Sequence, residues 1–236
     1  MKIDIITAGS QVIPELVKNT TVIVIDVLRA TSVIITALKN GAKSVVPVTS
    51  VEEALETRKK LENVVLGGER KAQKIEGFDL SNSPEEYTST AVYDKNVIIT
   101  TTNGTLAISR SSAAAKVYIG ALLNAKAVSA KAAEEKSDIV IVNSGTNGHF
   151  SMDDFIASGA IVSDILDIGE YELTDVAKTA LLIYRSHMDL KSYVLQAEHS
   201  KVLMNLGLEK DVLYCLQKDL FDIAPEYKHG IVKLEF

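Results

Sequence analysis

The segment Asp26-Val27-Leu28-Arg29-Ala30-Thr31-Ser32 places a carboxylate, a guanidinium and two hydroxyls within seven residues, a set that can handle a phosphorylated anion. Three other segments have the same character. Gly67-Gly68-Glu69-Arg70 runs on to Gly77-Phe78-Asp79 and Asn82-Ser83-Pro84; Thr101-Thr102-Asn103-Gly104-Thr105 follows; Asn143-Ser144-Gly145-Thr146-Asn147-Gly148 leads to Asp153-Asp154. Arg29 and Arg70 can each grip an anion through the planar guanidinium fork. A solvated arginine, or one paired to Glu69, has the same appearance in a sequence. Asp26 and the Asp153-Asp154 pair suit Mg2+, which takes one or two carboxylates and completes its shell with water and substrate oxygens. Acids at a helix start also meet the positive end of the helix dipole, which gives Asp153 and Asp154 a second reading. The two Asn-Gly loops can cradle phosphate with backbone N–H groups, and Asn-Gly is equally common turn chemistry.

These segments gain weight from where the secondary structure puts them. Apolar β-branched runs at Ile3–Thr7, Val22–Val27, Ser44–Val48, Asn63–Leu66, Val97–Thr101, Lys116–Ile119 and Asp138–Val142 read as strands buried on both faces. Helical spacing fills Thr31–Lys39, Val51–Leu61, Pro84–Ser89 and Asn124–Lys136 between them. Ser50 with Glu53 reads as a capping box, Ser83-Pro84 as an N-cap and first-turn proline, and Gly41 as a helix stop. Alternation of this kind predicts an α/β fold, a mostly parallel sheet with helices on both faces. Beyond about residue 150 the pattern turns helix-rich, with helices expected at Met152–Ile168 and Leu173–His187, shorter ones to Gln217 and a late strand at Ile231–Leu234. No proline- or glycine-rich linker divides the chain, so 1–236 is read as one compact unit. In open α/β sheets ligands gather beyond the carboxyl ends of the strands, and all four polar segments follow predicted strands.

Composition narrows the function. The 236 residues carry 25 Lys+Arg against 31 Asp+Glu, a net charge of −6, so a basic nucleic-acid face is not expected. No run of about 18 apolar residues predicts a membrane span, and the N-terminus lacks the pattern of a secretory signal. A soluble, cytoplasmic protein is the resulting expectation. The single cysteine, Cys215, excludes an internal disulfide and reads as a core residue. His149, His187, His199 and His229 show no metal-ligand spacing. Phosphate-loop, dinucleotide and nucleophile-elbow signatures are absent, and Leu28 stands where a haloacid-dehalogenase-type phosphatase needs its second aspartate.

Taken in order, the Asp26–Thr31, Gly67–Arg70, Gly77–Asp79, Asn82–Pro84, Thr101–Thr105 and Gly145–Asp154 segments resemble the 2-phosphosulfolactate phosphatase family, with Leu206-Gly207-Leu208, Asp211–Cys215, Pro225 and Gly230 extending the likeness to the tail. The resemblance implies an α/β fold and an enzyme that uses Mg2+ to release phosphate from 2-phospho-3-sulfolactate on a route to coenzyme M. It implies a small anionic phosphorylated substrate. On that basis Asp26 and Asp154 are expected to bind metal, and Glu69 to be a third ligand or general base. Arg29 with the Asn103-Gly104 and Asn147-Gly148 loops is expected to hold phosphate, and Arg70 the sulfonate or carboxylate. Asp79 and Asn82 are expected as supports, and Thr31, Thr102, Thr105, Ser144 and Gly145 complete the substrate-facing set. Ser81, Asp153 and Asn143-Ser144 depart from the family pattern, which keeps two alternatives in view: a phosphatase of another phosphorylated hydroxy acid, and an anion-binding relative without turnover. Direct attack by water and passage through a phosphoenzyme both stay open. A homodimer is expected only from how common such dimers are.

Overall fold

In the computed structural model, which describes residues 1–186 and 189–235, the β-branched runs form strands β1 (Lys2–Ile6), β2 (Thr21–Ile25), β3 (Ser44–Pro47), β4 (Val64–Arg70), β6 (Asn96–Thr100), β7 (Lys116–Gly120) and β8 (Ile139–Asn143). Four short strands escape the sequence pattern in whole or part: β5 (Gln73–Lys74), β9 (Glu172–Leu173), β10 (Glu226–Lys228) and β11 (Ile231–Lys233). The sheet order is β5-β4-β6-β3-β11-β10-β7-β2-β8-β1-β9. Pairing is parallel within β4-β6-β3 and within β7-β2-β8-β1. The two groups are joined by the β10–β11 hairpin, antiparallel to both neighbours.

The helices are α1 (Pro14–Val17), α2 (Ala30–Lys39), α3 (Val51–Arg58), α4 (Ser89–Val92), α5 (Gly104–Arg110), α6 (Ala125–Glu134), α7 (Met152–Leu166), α8 (Asp175–Ser186), α9 (Leu190–Val194), α10 (Glu198–Asn205) and α11 (Glu209–Cys215). They cover both faces of the sheet. Val22 and Val24 of β2 join one apolar cluster with α2 and α5, while Ile23 and Ile25 join another with α6, α7 and α8. Successive strand residues point to opposite faces, so β2 has to be apolar throughout, and it is buried throughout. Burying those side chains supplies the main drive for the fold, about 25 cal/mol per Å² of apolar surface.

Some local expectations change. The predicted Pro84–Ser89 helix is only a 3-10 turn at Pro84–Glu86, followed by α4. Ser83 does not cap it; its hydroxyl donates instead to Asp211 Oδ1 at 2.6 Å. Ser50 caps α3 by accepting from Glu53 N at 3.0 Å, but the Glu53 carboxylate reaches past it to Thr49 N at 2.8 Å. The helix expected at Leu173–His187 is Asp175–Ser186, and His187 lies outside the described residues. Cys215 is buried, as expected of a core residue. No helix among the described residues is long and apolar enough to cross a membrane.

Candidate functional site

Asp26 is the first residue beyond β2, and the turn after it is stapled by Thr31. The Thr31 hydroxyl accepts from Asp26 N at 3.0 Å and donates to Asp26 O at 2.8 Å. Asp26 Oδ1 accepts the Ala30 amide at 3.1 Å, so the carboxylate is fixed over the start of α2. Its other oxygen faces the start of α5. There Gly104 is required by close approach: a Cβ would lie 2.5 Å from Ala30 Cβ and 2.6 Å from Asp26 Oδ2.

The loop after β6 is closed in the same way. Thr105 Oγ1 accepts from Thr101 N at 3.3 Å, and Thr101 Oγ1 accepts from Thr105 N at 3.2 Å. Glu69, near the end of β4, holds the exposed part of that loop: Oε1 accepts Thr102 N at 2.8 Å and Thr102 Oγ1 at 2.9 Å. Its second oxygen accepts Ala72 N at 2.8 Å. Asn103 Oδ1 accepts Asn147 N at 3.1 Å, which ties this loop to the one after β8. Asp154 closes that last loop from α7, accepting Gly145 N at 3.0 Å and Val27 N at 2.9 Å.

Together these segments line a cavity of about 290 Å³, bordered by Asp26, Arg29, Glu69, Lys71, Asn82, Thr102, Asn103, Thr146, Asn147 and His199 among others. That is near the small end of ligand cavities and suits a compact substrate. Arg29, only 2% exposed, pairs with Asp211 of α11 and donates to Ala72 O at 3.0 Å. Ring nitrogen Nε2 of His199, from α10, donates to Leu28 O at 2.9 Å; a carbonyl can only accept, so that nitrogen carries the proton. Asn82 is buried at 4% exposure, and its Oδ1 has no partner among the described residues.

The electrostatics are dominated by carboxylates held away from water. Burial pushes Asp26 up to about 6, with Asp153 and Glu69 adding to the rise while the Ala30 amide and His199 oppose it. Asp153 is raised by burial as well. Asp154 is raised further, by burial and then by the Asp153 and Asp26 charges. Negative charge packed this densely calls for a proton or a cation. Among the described residues no three His, Cys, Asp or Glu side chains are grouped to hold a metal. A divalent ion here would therefore rest on at most two carboxylates, with water and substrate completing its shell, which is the coordination Mg2+ favours. Asp26 fits, because its Oδ2 is bonded to nothing among the described residues. Asp154 fits less well, since each of its oxygens already accepts a backbone amide.

The sequence expectations divide accordingly. Asp26, Arg29, Glu69, Asn82, Thr102, Asn103 and Asn147 meet at one cavity. Thr31 and Thr105 do not face it; both are fully buried turn staples. Gly104 acts by abutting Asp26, Gly145 by donating to Asp154, and Gly148 by accepting from Ser10 Oγ at 2.9 Å. Ser144 is buried behind the loop, its amide donating to Ile25 O at 2.8 Å. Asp79 is a support, accepting Leu66 N at 2.8 Å at the β4 edge. Arg70 is not among the residues that line the cavity. Neighbours on a strand point to opposite faces; Glu69 takes the cavity side, and Arg70 bonds Glu69 O at 2.7 Å and Thr100 Oγ1 at 3.0 Å away from it. Lys71 was not singled out in the sequence, and His199 and Asp211 were not linked to the site. Each borders the cavity or holds a residue that does.

The family model described as 2-phosphosulpholactate phosphatase matches residues 9–230 of this chain. A protein of Clostridium beijerinckii named "Probable 2-phosphosulfolactate phosphatase" is 52% identical over 238 residues, covering 100% of both chains. Proteins of the same name from Clostridium acetobutylicum and Clostridium tetani are 52% and 50% identical, covering 98% and 99% of this chain and 99% and 100% of their own lengths.

Proposed function

The chain belongs to the 2-phosphosulpholactate phosphatase family, and we propose that it hydrolyses the phosphate monoester of 2-phospho-3-sulfolactate to sulfolactate and phosphate. The observation that carries this reading is the cavity in which the ends of β2, β4, β6 and β8 bring Asp26, Arg29, Glu69, Thr102, Asn103 and Asn147 together. Mg2+ would be held by Asp26, with the neighbouring Asp153 carboxylate adding negative charge beside it, and would supply positive charge against the phosphoryl oxygens.

Phosphoryl transfer demands positioning and charge stabilisation more than covalent help. Arg29, fixed in direction by Asp211 and the Ala72 carbonyl, presents its guanidinium edge to the transferring phosphate. Asn103 and Asn147, joined through the bond between them, set the width of the phosphate end. Glu69 holds Thr102 and Ala72 in place through both carboxylate oxygens, which assigns it to shaping the cavity wall rather than to proton transfer. The reaction takes place in the cytoplasm on a small anionic substrate, on a route leading to coenzyme M, with neither nucleic acid nor membrane as partner; a homodimer is its working form.

The test is phosphate release by the purified chain from 2-phospho-3-sulfolactate and a panel of other phosphate esters, with Mg2+ and with EDTA. Release that needs Mg2+ and favours the sulfolactate ester at least tenfold in kcat/KM supports the whole reading. Preference for another phosphorylated hydroxy acid replaces the substrate and keeps the chemistry. Folded protein that releases phosphate from none of them overturns it.

A further inference from the structure

Strands β4 and β5 are joined by two residues, Lys71 and Ala72, both in the left-handed region with φ of +53° and +63°. Two-residue hairpins of this kind favour Asn and Gly at those positions, because a Cβ there is strained. This turn carries two ordinary side chains, and it is held by its surroundings. Glu69 Oε2 accepts the Ala72 amide at 2.8 Å, and Arg29 donates to the Ala72 carbonyl at 3.0 Å. Both anchors are cavity residues, so the turn is fixed to the site and Lys71 borders the cavity from its exposed rim.

The cations around the cavity are in different states. Arg29 is neutralised by Asp211. Lys71 forms no ion pair with the described residues. The floor, meanwhile, is acidic, with Asp26 and Glu69 both buried there. A substrate with a single phosphate has no need of a second cation at the rim. One whose carbon skeleton bears another acid has to place that charge somewhere, and Lys71 is the uncommitted cation it meets.

Building on the phosphatase reading, we propose that Lys71 is a specificity-determining residue whose ammonium takes the second acidic group of the substrate, a carboxylate or sulfonate on the carbon that carries the phosphate or on its neighbour. A charge-assisted contact of this sort contributes about 1.5–3 kcal/mol, which corresponds to roughly 10–100-fold in affinity. The sequence reading gives this role to Arg70; Lys71 is the next residue along, in the turn between β4 and β5.

The experiment compares Lys71→Met and Lys71→Arg with the wild type on two esters, 2-phospho-3-sulfolactate and ethyl phosphate, which has no second acid. The expected result for Lys71→Met is a KM at least tenfold higher on the first ester with kcat changed less than threefold, no change on ethyl phosphate, and recovery in Lys71→Arg. An equal change on both esters, or none on either, overturns the proposal. Calorimetric titration with sulfolactate and with inorganic phosphate separates this from the fate of the phosphatase reading. Sulfolactate affinity that falls tenfold in Lys71→Met while phosphate affinity holds supports Lys71 even where the wild type turns over neither ester. Unchanged sulfolactate affinity sinks it whatever the enzyme hydrolyses.

Discussion

Asp211 reaches back across 182 residues to pair with Arg29, and the same carboxylate accepts the Ser83 hydroxyl at 2.6 Å. The guanidinium and the carboxylate are both almost wholly buried. The α11 helix thus fixes a side chain that begins at the end of β2 without lining the cavity itself, while its neighbour α10 lines it through His199, Val202 and Leu203. Removing one member of a buried pair leaves the other charge uncompensated, at about 3–5 kcal/mol. Asp211→Ala is therefore expected to lower the melting temperature by about 6–20 °C, read by calorimetry. Asp211→Asn keeps a hydrogen-bond acceptor and is expected to lose less stability while still lowering kcat/KM, because the guanidinium is less firmly aimed.

Arg29→Ala removes the other partner. With the guanidinium on the transferring phosphate, kcat/KM is expected to fall at least ~100-fold. A folded Arg29→Ala protein with a loss below tenfold takes Arg29 out of that role.

Asp26 carries a stability cost. Burial raises its carboxyl from 3.8 to about 6. For a carboxyl raised on folding, the native state holds its proton longer than the unfolded chain does. The sign follows: stability is greatest below about pH 4 and falls as pH climbs to about 6, beyond which the buried charge is borne in full. Asp26→Asn keeps an acceptor for the Ala30 amide and drops the charge. It is expected to stabilise the metal-free protein at pH 7 by about 1–3 kcal/mol, to flatten this limb of the pH–stability curve, and to abolish phosphate release. A variant less stable than the wild type at pH 7 contradicts the account of Asp26.

How far this was legible in the sequence depends on chain distance. Asp26, Glu69, Asn103 and Asn147 sit just past apolar runs, and a parallel sheet gathers such positions at one end, so the rule for strand ends found them. Thr31 and Thr105 satisfy the same rule and still point inward, because a hydroxyl four or five residues into a strand–helix turn can bond the backbone of the turn itself. Arg70 lies one residue of strand alternation away from the cavity-lining Glu69. β4 continues to Arg70 instead of stopping near Leu66, and extending it decides which of Glu69 and Arg70 faces the cavity. His199 and Asp211 left no local signal, since each sits on an ordinary amphipathic helix and meets its partner only after the C-terminal helices pack back on the sheet. The β10–β11 hairpin was half seen: Ile231–Leu234 was expected as a strand, while nothing in three residues of β10 marks its insertion between β7 and β11.

The Asn103–Asn147 bond gives a test of whether two loops act as one clamp. Asn103→Ala deletes the acceptor for the Asn147 amide without touching the backbone of either loop. Losing one hydrogen bond costs about 0.5–1.5 kcal/mol, too little to unfold the chain. The expected effect is a roughly tenfold rise in KM for the phosphorylated substrate, and a matching weakening of inhibition by inorganic phosphate. Asn103→Asp retains the acceptor but adds a negative charge beside the phosphate, so it is expected to be worse than alanine; a better Asp variant argues against phosphate at that end.

Gly104 offers the most selective disruption. It is the first residue of α5, and its φ is in the ordinary range, so alanine is tolerated by the local backbone and adds one methyl. That methyl would sit 2.6 Å from Asp26 Oδ2 and 2.5 Å from Ala30 Cβ. Neither neighbour is free to yield, because Asp26 is held by the Ala30 amide and Ala30 begins α2. The methyl therefore displaces the carboxylate or pushes α5 away from it. A shift of about 1 Å in a catalytic group can cost on the order of 100-fold in rate, while overpacking costs about 1–3 kcal/mol. Gly104→Ala is expected to lose at least tenfold in kcat and to need more Mg2+ for half-maximal activity, with a fold that survives by circular dichroism. Wild-type kcat and Mg2+ dependence in that variant would mean that Asp26 Oδ2 does not face the reacting phosphate.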